Sequence, residues 1–395
     1  NAGLQVPSRR AGAEPSRLLK TSFNPGVAIN PFKSTEPELL PQFLKLGLKV
    51  RTGAEWAVTQ IGYDSLKLDE LKRYTNSNGL DIPLIGSVYV LNAPAARLFN
   101  RTGIPGVTVS DELLALVEKH ARSEDRGRGF FEEFAAKQVA ILKGIGYRGA
   151  YLSGRLPLSR IRRILDVESS FGPDDWREFA KDIQYQQPGE FNYYERDPGT
   201  GLTSENLNHQ YLETTSPGRR KRSRAFLPLK YKVSRATHNL VFDHTAPGFR
   251  AARWLYGHVD NRRNARTVLH AAEQVAKIPM FGCQDCGDCS LPDIAYLCPE
   301  SQCVKNQRNG PCGGSHNGIC EVGEKRCIWV KAYERTKAYG EEGAMLERPV
   351  VFKNGALRGT SAWANTFLGR DHNAPVSDEV SADPDPSTQS ADKPD

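Results

Sequence analysis

Apolar residues between positions 24 and 160 follow two alternating patterns. Short runs rich in β-branched residues predict strands, and longer stretches with apolar positions three or four residues apart predict amphipathic helices. The predicted strands are 27–30, 56–60, 83–90 and 149–153, and the predicted helices are 36–48, 66–76, 93–101, 111–122 and 130–143. This βαβα order favours a parallel sheet covered by helices, and therefore an α/β fold.

Four strands of this kind form half of a TIM-type (β/α)8 barrel, and the order corresponds to its C-terminal half. Active sites in such barrels lie at the carboxyl ends of the strands. By position alone, the candidate residues at those ends are Asn30, Gln60, Ser87 and Ser153.

The pattern changes beyond residue 155. Residues 156–235 are rich in Pro, Gly, Asp and Asn, which favours a connector with a hairpin or turn at 191–201. Helical patterns return at 249–258, 265–278 and 328–339, and the Ser, Asp and Pro content from about residue 372 onward predicts a disordered tail. The predicted domains are a partial or flexible segment 1–23, a half barrel 24–160, a connector 161–235, a mixed α+β cysteine-rich domain 236–350, and an extension 351–395 with an acidic tail.

Composition excludes several classes of protein. The 395 residues are 39% hydrophobic and 25% charged, enough to bury at least one sizeable core. No apolar run approaches the roughly 18–20 residues that span a bilayer, and no signal peptide opens the chain. We therefore expect a cytoplasmic protein, and because residue 1 is Asn we expect a missing N-terminus.

The net charge of +7 includes one compact basic cluster. Its members follow a Ser-Pro-Gly sequence and are Arg219, Arg220, Lys221, Arg222 and Arg224. No helix-turn-helix or RNP-like pattern accompanies them, so nucleic-acid binding is disfavoured. A solvated loop or a site for an anionic cofactor or partner is the better interpretation.

The cysteines are the most informative residues. All eight lie between positions 283 and 327, in the order Cys283, Cys286, Cys289, Cys298, Cys303, Cys312, Cys320 and Cys327. A reducing compartment disfavours disulfides, so clustered thiols predict metal binding.

The identity of the metal stays open at the level of sequence. Cys283, Cys286 and Cys289 have two residues between neighbours, and together with Cys298-Pro299 they resemble a bacterial ferredoxin arrangement. The match is partial, because eight residues separate Cys289 from Cys298. Zinc needs four thiolates or imidazoles, and His316 could supply a nitrogen. An iron–sulfur cluster and zinc are both retained.

Two sets of motifs carry a family resemblance. Four segments resemble the C-terminal half of the methylenetetrahydrofolate reductase barrel. They are Val58-Thr-Gln60 to Asp64, residues 79–86, Arg97-Leu-Phe99 and residues 102–105. Residues 190–345, with Asn309-Gly-Pro-Cys312-Gly-Gly, resemble the cysteine-rich domain fused to or partnered with bacterial and archaeal members of that family.

The resemblance implies flavin-dependent reduction of 5,10-methylenetetrahydrofolate to 5-methyltetrahydrofolate, with FAD as cofactor and NAD(P)H or another electron donor. Gln60 matches the catalytic, substrate-facing glutamine, and Phe99 matches an aromatic residue that stacks on substrate or nicotinamide. Lys49 matches a basic residue near the flavin diphosphate, and Asn30 ends the strand that borders the flavin.

The chain also departs from the family. Leu48 and Ala95 stand where a basic residue and an amide are often found, and neither Asp64 nor Glu55 matches the family's catalytic acid or flavin-tuning aspartate. A second hypothesis is therefore a metal-cluster electron-transfer or partner-binding module associated with a separate reductase or methyl-transfer system. A third is an accessory of corrinoid-linked demethylation.

Overall fold

The computed structural model describes residues 5–6, 16–17, 22–101, 104 and 106–374. The chain divides into two compact units. Unit 1 contains residues 1–225 and 309–348, and unit 2 contains residues 226–308 and 349–395. The cysteine-rich segment is therefore divided between the units, whereas the sequence pattern predicts a single domain at residues 236–350.

Unit 1 is built on a parallel sheet of four strands in the order β3-β4-β5-β6. Gly26 pairs with Trp56, Ala57 with Leu84, and Ile85 with Gly149. The strands of this unit are β1 (Gln5–Val6), β2 (Ser16–Arg17), β3 (Gly26–Ile29), β4 (Trp56–Thr59), β5 (Leu84–Tyr89), β6 (Gly149–Ser153), β7 (Tyr194–Arg196) and β8 (Thr203–Leu207). The predicted α/β alternation is confirmed, and the sheet is compatible with part of a barrel.

Eight of the described helices lie where the apolar periodicity predicts them. In chain order they are α1 (Glu36–Arg51), α2 (Ser65–Ser77), α3 (Ala93–Asn100), α4 (Asp111–His120), α5 (Arg128–Ile145), α6 (Leu158–Ser169), α7 (Trp176–Asp182), α8 (His209–Thr215), α9 (Pro217–Ala225), α10 (Leu229–Thr237), α11 (Pro247–Val259), α12 (Arg263–Phe281), α13 (Pro299–Gln302), α14 (Ile328–Lys337) and α15 (Ala362–Phe367). Side-chain caps fix several starts, because Asp64, Asn92 and Ser110 each accept a hydrogen bond from a first-turn backbone N–H.

The core of unit 1 lies between the sheet and its helices. Leu39, Phe43 and Leu46 of α1 are fully buried, as are Leu71 of α2 and Ala57 of β4. Their spacing places one apolar stripe of each helix on the sheet, and burial of such side chains stabilises the fold by about 1.5–3 kcal/mol each.

Residues 156–235 contribute more structure than the sequence analysis assigns to a connector. Strands β7 and β8 form the hairpin predicted near 191–201, and α6 to α10 supply helices that the Pro and Gly content obscured. Ile164 and Ala180 are fully buried and Tyr194 is 5% exposed. Tertiary burial therefore outweighs weak local propensity in this segment.

The basic cluster is a helix and not a loop. Arg220 of α9 forms a bidentate ion pair with Glu342, with N···O distances of 2.6 and 3.1 Å. Arg224 donates to the carbonyl oxygen of Ala338 and lies over the ring of Tyr339. At least two of the five cations therefore hold this part of unit 1 together.

Unit 2 is helical, and its small core includes Phe249, Tyr256, Ala364 and Phe367. The predicted disordered tail lies outside the described residues from 375 onward. His372, where that prediction begins, is ordered, because its ring nitrogens contact the carboxylates of Asp288 and Asp293. Across the part of the chain that the structure describes, no helix is both long and apolar enough to cross a membrane.

Candidate functional site

A cavity of about 470 Å³ opens in unit 1 beside the carboxyl ends of the parallel strands. Loops after β3 and β4 and the segment around Cys320 form its wall. The lining residues used below are Lys33, Glu38, Asp64, Gly106, Glu190 and His316. Such an edge is where parallel α/β proteins commonly bind ligands.

Gly106 is the point at which two predicted site residues meet. A Cβ atom built on Gly106 would lie 3.0 Å from Nδ2 of Asn30 and 3.4 Å from Nε2 of Gln60. The same Cβ would lie 3.2 Å from the carbonyl oxygen of Gly313, and the φ angle of Gly106 is +77°. Only glycine allows this close approach.

The amides of Asn30 and Gln60 already make hydrogen bonds. Asn30 Nδ2 donates to the carbonyl oxygen of Gly106 at 3.1 Å, and Asn30 Oδ1 accepts from Phe32 N at 3.0 Å. Gln60 Oε1 accepts from the backbone N–H of Ile61 at 2.9 Å. Both side chains therefore organise the strand-end loops and border the cavity through Gly106.

The structure places the other two predicted residues elsewhere. Lys49 donates to the carbonyl oxygen of Ala28 at 2.5 Å, and burial lowers the pKa of this lysine. Phe99 is only 6% exposed and packs edge-to-face on Tyr89, with ring centroids 5.2 Å apart. None of the four predicted site residues, Asn30, Gln60, Lys49 and Phe99, is among the described residues that line the cavity.

Two lysines hold the loop that carries Cys312. Lys33 Nζ donates to the carbonyl oxygens of Gly313 at 2.6 Å and Ser315 at 2.5 Å, and Lys45 Nζ donates to that of Pro311 at 2.8 Å. Burial lowers the pKa of Lys33, and it lowers that of Lys45 to about 8. Backbone carbonyls thus satisfy two largely buried amino groups.

Two buried carboxylates of the cavity wall each have one oxygen without a close hydrogen-bond partner. Asp64 is 4% exposed and Glu38 is 3% exposed. Asp64 Oδ1 caps α2 and Glu38 Oε2 accepts from Thr35, whereas Asp64 Oδ2 and Glu38 Oε1 have no close hydrogen-bond partner among the described residues. The Gln186 side chain lies near Asp64 and lowers its pKa against the effect of burial. Burial raises the pKa of Asp64 to about 6. Buried polar atoms normally have partners, so these oxygens suit a ligand that donates hydrogen bonds.

A buried charge network lies behind Asp64. Lys67 Nζ is 3.3 Å from a carboxylate oxygen of Glu70 and 3.8 Å from one of Glu190. Burial raises the pKa of Glu70, and it raises that of Glu190 to about 7, although Lys67 opposes both shifts. Glu190 lines the cavity and can therefore hold or release a proton near neutral pH.

Four cysteines of unit 2 border a second, small cavity of about 20 Å³. They are Cys283, Cys286, Cys289 and Cys298, the first four in the sequence. Each of the eight cysteines is a free thiol. Burial raises the pKa of Cys283, and it raises that of Cys289 to about 11.

Cationic side chains accompany this thiol group. Lys277 Nζ lies 3.6 Å from Cys289 Sγ and 2.8 Å from Glu273. Arg308 is buried and pairs with Glu300 at 2.6 Å. Burial lowers the pKa of Arg308, but the Glu300 carboxylate and the Cys286 sulfur raise it above its ordinary value. Neighbouring positive charges stabilise the thiolate form of cysteine, which is the form that binds metals.

The remaining cysteines do not line this cavity. Cys312, Cys320 and Cys327 belong to unit 1, where the charges of Cys312 and Cys320 add to the burial that raises the pKa of Cys327. Cys303 belongs to unit 2, and its sulfur accepts from Gln307 N at 3.5 Å. Across the described ranges, no three His, Cys, Asp or Glu side chains are already arranged as metal ligands.

Sequence reasoning missed Glu38, Glu190 and Lys33 and gave Asp64 no role. Asp64 carried a detectable signal, since it lies just beyond a strand end and precedes an apolar helical pattern. Glu190 carried none, because it follows the ends of β3 and β4 by more than a hundred residues and only the fold brings it to the cavity.

One comparison with known proteins is informative. Residues 263–355, about a quarter of the chain, match the family described as Methylene-tetrahydrofolate reductase C terminal. No curated protein matches the chain significantly. The matched range contains all eight cysteines, so this part of the chain is similar to the C-terminal region of methylenetetrahydrofolate reductases.

Proposed function

We propose that this chain takes part in the flavin-dependent reduction of 5,10-methylenetetrahydrofolate to 5-methyltetrahydrofolate. The observation that carries the proposal is the cavity at the carboxyl edge of the sheet, with two unpartnered carboxylate oxygens in its wall. The family match at residues 263–355 supports the same theme of one-carbon chemistry.

Folate offers a chemical match to these oxygens. The pterin ring carries an N–H and an amino group side by side, and a carboxylate can accept from both. In this proposal Asp64 orients the pterin, and Glu190, whose pKa burial raises to about 7, holds a proton close to the ring. Gln60 would contribute its amide beside Gly106.

FAD would accept a hydride from NAD(P)H or another donor and supply it to the one-carbon unit. Lys49 fits a role near the diphosphate because its amino group has one carbonyl partner and can donate to further acceptors. Asn30 fits less directly, because its amide is already bonded, so its role would be to shape the loops at the flavin edge.

The test is steady-state turnover of methylenetetrahydrofolate with FAD and a reduced electron donor. Gln60→Ala should lower turnover by at least about tenfold and leave FAD retention unchanged, since losing one positioned hydrogen-bond donor costs about 1–3 kcal/mol. Gln210→Ala on the exposed surface of α8 is the matched control. Equal turnover by wild type and Gln60→Ala would contradict the assignment.

The sheet also bears on how the assay is run. A closed barrel has eight strands, and the described parallel sheet has four. We expect low turnover from residues 1–395 alone and a large gain when further βα units are supplied in the same chain or by a separate barrel subunit. High turnover from the isolated chain would contradict this expectation.

We further propose that Cys283, Cys286, Cys289 and Cys298 hold one metal centre, either zinc or an iron–sulfur cluster. Their shared cavity and the neighbouring Lys277 and Arg308 support this. A centre of this kind also favours the second candidate function, an electron-transfer or partner-binding module. The visible spectrum separates the metals, because iron–sulfur clusters absorb broadly and zinc is silent.

A further inference from the structure

Unit 2 contains a second large cavity, of about 480 Å³, that the proposed function does not use. Helices α10 and α12, the residues just after Cys289 and the start of α15 surround it. The lining residues that matter here are Ser234, Thr237, His238, Phe242, Tyr296 and Trp363. Its volume lies within the range of about 300–1,000 Å³ that is usual for small-molecule sites.

Aromatic rings dominate the wall of this cavity. Phe242 and Trp363 have ring centroids 5.9 Å apart, and the His238 ring lies nearly parallel to that of Phe242 at 6.4 Å. Tyr296 is 5.8 Å from His238. Flat ring surfaces of this kind favour a flat aromatic occupant.

Polar side chains also line the wall, and their charge disfavours an anion. Ser234 and Thr237 supply neutral hydroxyls. Burial lowers the pKa of His238, so its ring is uncharged near neutral pH, whereas hydrogen bonds from Thr245 keep the Asp243 carboxylate ionised. The Lys277 ammonium is already paired with Glu273. Lys277 is the only lysine or arginine among the lining residues that the structure describes, so a phosphate would find no unpaired lysine or arginine there.

The cavity shares a wall with the four-cysteine cavity. Four residues line both, namely Lys277, Phe281, Cys289 and Leu291. An occupant of the larger cavity therefore lies against the same residues that enclose the thiols.

We infer that this cavity binds an uncharged, flat heteroaromatic ring system of about the size of an isoalloxazine. The rings of Phe242 and Trp363 are tilted by 54° to each other, so the occupant stacks one face on Trp363 and turns an edge toward Phe242. Its polar ring edge meets the hydroxyls of Ser234 and Thr237. The site differs from the sheet-edge cavity of unit 1, and the inference stands whether or not the chain reduces folate.

The test is titration of the full chain with riboflavin, followed by quenching of flavin fluorescence. Ala276→Phe fills the cavity from α12, and Val275→Phe places the same ring at a neighbouring position that is 76% exposed. Saturable quenching that Ala276→Phe weakens at least tenfold, and that Val275→Phe leaves unchanged, supports the site.

A second variant keeps the test valid if Ala276→Phe does not fold. Thr237→Trp closes the cavity from an exposed position on α10 and should weaken riboflavin binding to the same extent. Absence of saturable binding, equal affinity in all variants, or tighter binding of flavin mononucleotide than of riboflavin would each overturn the inference. Loss of binding in Lys49→Met but not in Ala276→Phe would place the flavin in unit 1 and also overturn it.

Discussion

The amino group of Lys33 lies 2.6 Å from the carbonyl oxygen of Gly313, so a buried cation after β3 holds the loop that carries Cys312. These residues are 280 positions apart in the sequence. The contact links the carboxyl edge of the sheet to the cysteine-bearing segment of unit 1.

Lys33→Met should destabilise unit 1, because two backbone carbonyls lose their buried donor. We expect a loss of about 2–4 kcal/mol in the free energy of unfolding, measured by urea denaturation. Lys49→Met is the control, since Lys49 donates to a single carbonyl at a more exposed position. Equal losses in the two variants would contradict the role given to Lys33.

Asp64→Asn should stabilise the protein at neutral pH. Burial raises the pKa of Asp64 from 3.8 to about 6. Protonated Asp64 therefore favours the folded state below pH 3.8, and this advantage is lost as the pH rises through about 6. Asn caps a helix as well as Asp and cannot ionise.

The pH dependence checks this prediction. Thermal melts at pH 4.5 and pH 8 should show a gain for Asp64→Asn that is larger at pH 8, by up to about 3 kcal/mol. The variant should at the same time bind folate less tightly, because an amide cannot accept from both pterin donors. A gain of the same size at both pH values would refute the assigned cause.

Lys67→Met should be among the most damaging substitutions in the chain. The Lys67 side chain is fully buried between Glu70 and Glu190, and removing one partner of a buried ion pair costs about 3–5 kcal/mol. Lys181→Met removes a surface ion pair with Glu178 and should cost no more than about 1 kcal/mol. Chemical denaturation of both variants measures the difference.

Cys286→Ser should lower the metal content of protein purified without oxygen and lower its melting temperature, because metal-binding free energy contributes to folding. Cys303→Ser should change neither quantity, since Cys303 does not line the four-cysteine cavity. Elemental analysis and thermal melts provide the readouts. Equal metal content in the two variants would contradict the proposed ligand set.

The local elements of this protein follow from the spacing of its apolar residues. The spacing of Leu39, Phe43 and Leu46 predicts one buried stripe on α1, and all three are fully buried. Apolar periodicity encodes which face of an element is buried, so the four strands and eight of the fifteen described helices could be predicted to within a few residues. The clustering of eight cysteines is equally visible in the sequence.

Long-range packing brings together groups that are distant in the sequence. Periodicity cannot show that Gly106 separates Asn30 from Gln60, that Glu190 reaches the cavity beside Asp64, or that only four of the eight thiols share a cavity. The tertiary structure also places Phe99 in the core, whereas the family resemblance predicted that this residue stacks on substrate or nicotinamide. These outcomes depend on long-range packing and on the need of buried polar groups for partners, and neither is encoded in a local pattern.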